Sequence, residues 1–232
     1  MITVDGFAKV MEYAVYFKNG VIYTVLLSVF SVVIGFVLAL LIALLRLSKI
    51  KPLRWLSGAY VEIVRGTPML VQLYIVYYGI FSFIDIPSFT MFGFIDSSRF
   101  IPGIVAVGLN SGGYLAEVIR GGIQGVDLGQ TEASLSLGLR RGQTMRYIVL
   151  PQAIKNILPA IANEFVVIIK ESSICSVLGM QEIIFNANLI QSSTYRILEP
   201  LICAAVHYFC LTFPTSKIIA AIERRMRRGD IR

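Results

Sequence analysis

The chain has 232 residues, of which 56% are hydrophobic and 15% charged, and its mean hydropathy is +0.74. About a quarter of the residues of a typical soluble domain are charged, so this composition predicts an integral membrane protein. The net charge of +7 favours basic residues retained on the cytoplasmic side of a membrane over nucleic-acid binding, because no RNA-binding signature is present. One histidine and three scattered cysteines leave little material for a metal site or a catalytic residue set, so neither is expected.

The first part of the chain predicts a surface helix followed by a membrane helix. Residues 1–19 mix apolar and charged side chains with the period of an amphipathic helix lying on a membrane. The apolar run 21–45 is too long for the core of a cleaved signal peptide, and its basic residues follow it rather than precede it. We therefore expect this run to stay as the first membrane span.

Apolar segments along the whole chain predict an all-α integral membrane fold with five transmembrane helices. Each segment is long enough to cross ~30 Å of hydrocarbon at ~1.5 Å per residue. The predicted spans cover residues 20–45, 59–83, 101–119, 154–177 and 200–222. The connection 178–199 is long enough to fold back as a short helix. We expect one transmembrane domain, 20–225, between the amphipathic segment 1–19 and a basic tail, 226–232.

Lysine and arginine predict the orientation of the spans. Most of the 21 basic residues lie between the first and second spans, between the third and fourth, or after the fifth. Basic connections stay in the cytoplasm, so the N-terminus is expected outside and the C-terminus inside. The region 125–151 is then expected in the cytoplasm, and the spans are surrounded by membrane lipid.

The longest stretch without membrane character, 132–151, predicts two short helices. Glu132 is expected to open the first helix, because an acidic side chain suits a helix N-terminus, and Gly138 to end it. A second short helix then runs up to Pro151. A small surface helix of this kind suits binding by another protein. The residues expected to contact that partner are Glu132, Ala133, Ser134, Gly138, Arg140, Arg141 and Pro151.

Polar side chains inside the predicted spans indicate a candidate substrate pathway. Glu164 and Glu171 are seven residues apart, which places them about 20° from the same helix face. Asn110 and Ser111 lie at a similar depth in the third span, and Gln72 lies about halfway along the second. The glutamate carboxylates would face the ammonium group of a substrate, and the amide and hydroxyl side chains would face its carboxylate. Together they would form a binding pocket at the midplane of the membrane. The alternative is hydrogen bonding between membrane helices.

Two other groups of residues favour structural interpretations. Glu117, near the inner end of the third span, is expected to pair with Arg120 or Arg65. The glycines between 121 and 129 lack the lysine and the preceding strand of a phosphate loop. We therefore expect this chain to bind no ATP and no other cofactor.

Several motifs resemble one family of transport proteins. Residues 132–151 read E-A-S-x3-G-x9-I-x-L-P, which resembles the EAA loop of ABC-importer permease subunits, with Ser134 where that loop carries alanine. The segments 65–72, 110–124 and 170–174 resemble those of polar amino acid permeases of the histidine/glutamine type. The resemblance adds Tyr114 to the substrate pathway. Gly112 and Gly113 stand where the family carries other small residues, which predicts a looser cavity there.

This resemblance implies a type I ABC-importer permease fold in the bacterial cytoplasmic membrane and a role in transport rather than catalysis. The permease would form a homodimer or pair with a sister permease above two cytoplasmic ATPase subunits, which would bind ATP and magnesium. An extracytoplasmic binding protein would deliver a polar, cationic or zwitterionic amino acid. The helix led by Glu132 would enter a cleft of the ATPase.

Three other functions are compatible with a polytopic membrane protein. A proton-coupled secondary transporter would use Glu164 or Glu171 as a proton relay, yet no inverted repeat is evident. A membrane enzyme would need a nucleophile with its base, or a metal site, and neither is recognisable. A channel or scaffold subunit would not need the glutamate-led helix.

Overall fold

A computed structural model describes residues 3–227, except for the side chain of Arg227, and these residues form mostly helices. The helices are α1 (Val4–Met11), α2 (Ala14–Leu47), α3 (Lys51–Gly66), α4 (Met69–Tyr74), α5 (Ser97–Gln124), α6 (Leu128–Ser136), α7 (Arg141–Thr144), α8 (Leu150–Glu171), α9 (Ile183–Thr194) and α10 (Leu198–Arg227). Neighbouring helices are extended by the π-helical turns Ile75–Ile80 and Met145–Val149 and by the 3-10 segments Phe81–Phe83 and Ser172–Leu178. From residue 228 onwards, the expected basic tail lies outside the described residues.

Helix length and polarity separate the long helices into two groups. In the described part of the chain, α2 and the stretch Leu198–Met226 of α10 are long and apolar enough to cross a membrane. Helices α5 and α8 have 28 and 22 residues, or about 42 and 33 Å, but they carry charged side chains such as Glu117 and Glu164. Helix α2 already begins at Ala14, so the second half of the predicted surface segment belongs to the first long helix.

The segment 59–83, predicted as the second span, is interrupted in the structure. Helix α3 ends at Gly66, and Thr67 and Pro68 are extended, with ψ angles of 146° and 138°. Proline has no backbone N–H to donate and disfavours the helical conformation in the residue before it, which explains the break. The helix then restarts at Met69 and continues through a π-helical turn and a 3-10 turn to Phe83.

Glycines allow α5 to pack closely against its neighbours in the core. A Cβ atom at Gly108 would lie 2.9 Å from Cγ2 of Ile34, and one at Gly112 would lie 2.9 Å from Cδ2 of Leu38. At Gly113 the distance to Cγ1 of Val64 would be 2.6 Å. The looser cavity expected at 112 and 113 is therefore wrong, because side chains of α2 and α3 already fill the space.

The Gly113→Ala variant is expected to lower the free energy of unfolding by about 1–3 kcal/mol, because the added methyl overlaps the stiff, β-branched Val64. Gly121→Ala on the same helix is the matched control, since nothing lies within 4 Å of the added methyl. That change should stabilise the helix by about 0.5–1 kcal/mol. Thermal unfolding of the purified protein in detergent measures both, and equal effects of the two changes would contradict this packing.

The connections at the ends of the helices contain two ordered features. An antiparallel hairpin pairs β1 (Thr90–Met91) with β2 (Ile95–Asp96), an exception to the predicted all-α fold. The fold-back helix expected in 178–199 is confirmed by α9. Glu182 begins α9 by accepting hydrogen bonds from the backbone N–H groups of Ile184, at 2.9 Å, and Phe185, at 2.6 Å.

Glu182 makes the stability of the fold pH-dependent. The side chain is fully buried, and burial raises its pKa from 4.5 to about 7 although Tyr208 donates a hydrogen bond to it at 2.5 Å. The folded carboxyl therefore holds its proton more tightly than the unfolded one. The contribution of Glu182 to stability is therefore most favourable at acidic pH, falls as pH rises from about 4.5 to 7 and is level above that range.

Between pH 5.5 and 8, the wild-type protein is expected to lose about 2 kcal/mol of unfolding free energy through Glu182. The Glu182→Gln variant keeps an acceptor oxygen for the start of α9 but does not ionise, so it should lose less over the same range. Unfolding measured at both pH values tests the difference. Parallel pH profiles for the two proteins would show that Glu182 is not the group responsible.

Candidate functional site

Asn110 and Gln72 lie together beside the break between α3 and α4. Asn110 is 5% exposed, and its Nδ2 donates to Oε1 of Gln72 at 3.0 Å. Nε2 of Gln72 donates to the carbonyl oxygens of Val64, at 2.8 Å, and Thr67, at 3.0 Å. Gln72 thus satisfies carbonyls left free at the end of α3 and orients Asn110 at the same time.

The packing of α5 against α8 brings Ser111 and Glu164 together. Ser111 is 1% exposed, and its hydroxyl lies beside the carboxyl of Glu164. The half-buried carboxyl of Glu164 lies close enough to interact electrostatically with both Ser111 and Glu171. Exposed Lys170 lies beside Glu171 and interacts with it. We call Gln72, Asn110, Ser111 and Glu164 the polar cluster.

The remaining predicted pathway residue lies at the edge of the polar cluster, and two residues near the cluster were not predicted. Tyr114 is on α5, one turn after Asn110 and Ser111, and is 40% exposed. The hydroxyl of Tyr60 donates to the carbonyl of Leu109 at 2.6 Å, and Oγ1 of Thr67 accepts from Gln72 at 2.8 Å. The Thr-Pro pair at 67–68 was the available signal for a helix end that needs such polar partners.

Glu117 forms an ion-pair cluster, but not with the predicted Arg65. Arg46 of α2 contacts Oε2 of Glu117 at 2.5 Å, and Arg120 donates from Nε to both carboxylate oxygens at 3.1 Å. Arg65 is exposed on α3. The pairing with Arg120 is confirmed, and the second partner is Arg46, so the cluster fastens the end of α2 to α5.

The α6–α7 region, residues 127–149, differs in detail from its prediction. Helix α6 is opened by Asp127, whose Oδ1 accepts from the N–H of Gly129 at 2.7 Å, so Glu132 does not open it. Glu132 and Ala133 are exposed in its second half. Ser134 is buried and donates to Thr144 at 2.9 Å, which joins the two short helices.

The segment after α6 continues directly into α8. Gly138 ends α6 with a φ of +85°, a conformation that favours glycine, as predicted. Arg140 then caps α7, and its N–H donates to Gln143 at 2.9 Å. From Arg141 the chain is helical through a π turn to Glu171, with Pro151 in the first turn of α8. The predicted second short helix corresponds to α7 and the π turn, which continue into α8 instead of stopping at Pro151.

A groove lies between the end of α5 and the α6–α7 region. Its volume is about 550 Å³, and most of its lining is apolar, with Val126, Leu135, Met145 and Val149 beside Arg141. Exposed Leu128 and Leu137, 74% and 81% accessible, lie on the same region. An exposed carboxylate, two exposed leucines and an apolar groove together suit insertion into a partner's cleft.

The chain matches known families and proteins over nearly its whole length. Residues 21–228 match the family described as binding-protein-dependent transport system inner membrane component. The chain is 38% identical over 212 residues to the arginine transport system permease protein ArtQ of Bacillus subtilis, covering 91% of this chain and 93% of that protein. It is 38% identical over 208 residues to the putative glutamine transport system permease protein GlnP of Rickettsia felis, covering 90% and 91%.

Solved structures share the fold. A chain of the crystal structure of an amino acid ABC transporter with histidines has a TM-score of 0.87 and 45% identity, covering 97% of this chain and all of that one. A chain of the MetNI methionine ABC transporter in an inward-facing conformation has a TM-score of 0.69 and 18% identity, covering 90% and 95%. The second likeness concerns the fold alone.

Proposed function

The chain belongs to the family of binding-protein-dependent transport system inner membrane components and is a permease subunit of an amino acid ABC importer, and on that premise we propose that its polar cluster lines the path of a polar, cationic or zwitterionic amino acid. The observation that carries this proposal is the half-buried carboxyl of Glu164 beside the buried hydroxyl of Ser111, on two helices that pack together. A carboxylate can bind an ammonium or guanidinium group, and a hydroxyl can donate to a substrate carboxylate. Glu171 and Tyr114 extend the path on either side.

We retain five membrane crossings, with the N-terminus outside and the C-terminus inside. Helices α2, α5, α8 and α10 each cross once, and α3 with Met69–Phe83 forms a broken second crossing. Broken helices are tolerated at membrane depth where the free backbone groups find partners in the protein, and Gln72 supplies them here. This arrangement places the α6–α7 region on the cytoplasmic side.

Coupling to ATP would pass through the α6–α7 region into a separate ATPase subunit. ATP and magnesium would be bound and hydrolysed there, so this chain performs no catalysis itself. Because Arg141–Glu171 is one helical rod, a movement of the α6–α7 region is carried about 34 Å along it to Glu164. Two ATPases closing on ATP would thus rearrange packed helices as rigid pieces, and each ligand biases the state that it binds more tightly.

The complete importer would contain two permease chains, two ATPase subunits and an extracytoplasmic binding protein. Two permeases, either copies of this chain or this chain and a sister, would enclose the path between them. The test is uptake into proteoliposomes that contain the full complex, with labelled L-arginine and L-glutamine as probes and other amino acids as competitors. We expect uptake to require ATP and the binding protein. Uptake driven by a pH gradient without ATP would overturn the proposal in favour of a secondary transporter.

A further inference from the structure

Besides the polar cluster, the structure has a polar cavity at the start of α5, at the opposite end of this helix from the α6–α7 region. It has a volume of about 230 Å³ and is formed by α2, the start of α5 and the turn that follows α8. It is separate from the polar cluster, because Arg99 precedes Asn110 by eleven residues, or about 17 Å along the helix. The lining residues are Tyr23, Phe94, Asp96, Arg99, Gly179 and Gln181.

Tyr23 provides a hydrogen-bonding group that the fold does not use. The residue is 1% exposed, and within the described residues its buried hydroxyl has no hydrogen-bond partner. Its ring is held in place by an edge-to-face contact with Phe100, at 5.3 Å between centroids. Buried polar groups in native proteins are nearly always hydrogen-bonded, so an unpartnered hydroxyl beside a cavity points to a ligand.

Arg99 is positioned over the cavity by its neighbours. Its Nη1 donates to the carbonyl oxygen of Gly179 at 3.1 Å. Gly179 adopts a φ of +75°, and a Cβ atom at this position would collide with the Arg99 guanidinium. Gly179 therefore satisfies two requirements at once, a left-handed turn and room for the cation. The other N–H groups of this guanidinium form a planar fork that matches a carboxylate.

Asp96 supplies the opposite charge on the same rim. Its Oδ1 accepts from the backbone N–H of Ser98 at 2.9 Å and from the Ser98 hydroxyl at 2.8 Å, which fixes the carboxylate at the start of α5. The cavity thus has one cation, one anion, a phenol and the amide of Gln181. This set complements a zwitterion. A simple anion would face Asp96, and a simple cation would face Arg99.

We infer that this cavity is an outer receiving site for a free α-amino acid. Arg99 and the Tyr23 hydroxyl bind the α-carboxylate, and Asp96 binds the α-ammonium. The volume admits a small molecule of this size. The inference rests on the proposed function, since the proposed orientation places the cavity on the outer side, where an amino acid arrives before it reaches the polar cluster.

The test is the stoichiometry of amino acid binding to the full permease–ATPase complex in lipid nanodiscs, with radiolabelled L-arginine and L-glutamine as probes. The wild-type complex is expected to bind two equivalents per permease chain. Arg99→Gln and Tyr23→Phe should each weaken one of the two by about tenfold, because each removes a hydrogen bond to a charged group. Agmatine, which lacks the carboxylate of arginine, should not compete for that equivalent.

Two controls separate this inference from other outcomes. Lys18→Gln removes one exposed positive charge elsewhere on the proposed outer side and should leave both equivalents unchanged. Tyr23→Phe keeps the ring and should unfold at a temperature no lower than the wild type, so loss of binding in this variant is not loss of fold. The receiving site would be overturned if the complex bound only one equivalent of amino acid per chain and Arg99→Gln and Tyr23→Phe did not affect that binding. If Glu164→Gln weakened the same binding, the proposed function would stay in place. A wild-type complex without ATP-driven uptake would instead overturn the proposed function.

Discussion

The Glu164→Gln variant is expected to raise the KM for L-arginine uptake about tenfold to a hundredfold in proteoliposomes that contain the full transporter. Glu164 is half-buried in α8 and lies beside the buried Ser111 hydroxyl of α5. Replacing the carboxylate with an amide removes a charge that a cationic substrate would otherwise pair with in a partly desolvated site. The neutral side group of L-glutamine depends less on that charge, so its KM should change less.

The Glu164→Asp variant is the matched control, because it keeps the charge and shortens the side chain by one methylene group. It should retain more L-arginine transport than Glu164→Gln. Size-exclusion chromatography of each complex shows whether the ATPase subunits remain bound, which separates loss of transport from loss of assembly. An unchanged KM for both amino acids in Glu164→Gln would remove this carboxyl from the substrate path.

The long helices were predictable from the sequence because apolar runs of membrane-spanning length dominate them. Their ends were less predictable. Averaged hydropathy continues across 59–83, whereas the local backbone preference of Thr67 and Pro68 breaks the helix there. At α6, the acidic Glu132 predicts the first turn, but Asp127 lies five residues earlier and makes the capping hydrogen bond. Backbone preference decided the first boundary, and capping chemistry decided the second.

The polar cluster was only partly predictable. Depth along a helix follows from residue spacing, so the sequence predicted that Asn110 and Glu164 lie at one level. Which side chains meet across helices depends on helix rotation and packing, which spacing in one segment does not specify. Arg65 and Arg46 were equally plausible partners for Glu117 on charge, and the close packing of α2 on α5 selects Arg46. The dual role of Gln72 arises from the helix break at Thr67 and Pro68, whose free carbonyls it reaches.

Charge reversal in the Glu132→Lys variant is expected to lower ATP-driven uptake by about 30-fold or more, because truncating or reversing one member of a desolvated charge pair costs about 2–5 kcal/mol. Glu132 is exposed on α6, beside the apolar groove that we propose as an ATPase contact. ATP hydrolysis stimulated by substrate and binding protein should fall in parallel. Amino acid binding to the polar cluster should persist, since Glu132 is on α6 and Glu164 lies near the opposite end of the helix that begins at Arg141.

Glu12→Lys is the matched control, because it reverses an exposed glutamate at the end of α1, outside the α6–α7 region and the proposed membrane crossings, and should leave uptake near the wild-type rate. Equal loss in both variants would indicate a general charge effect and contradict a specific contact at Glu132. The unbroken helix from Arg141 to Glu171 adds a second readout. If the α6–α7 region no longer contacts the ATPase, ATP binding cannot move the helix that carries Glu164. ATP should then no longer change the solvent accessibility of a cysteine introduced beside Glu164. Preserved ATP-dependent accessibility in Glu132→Lys would show that coupling follows another route.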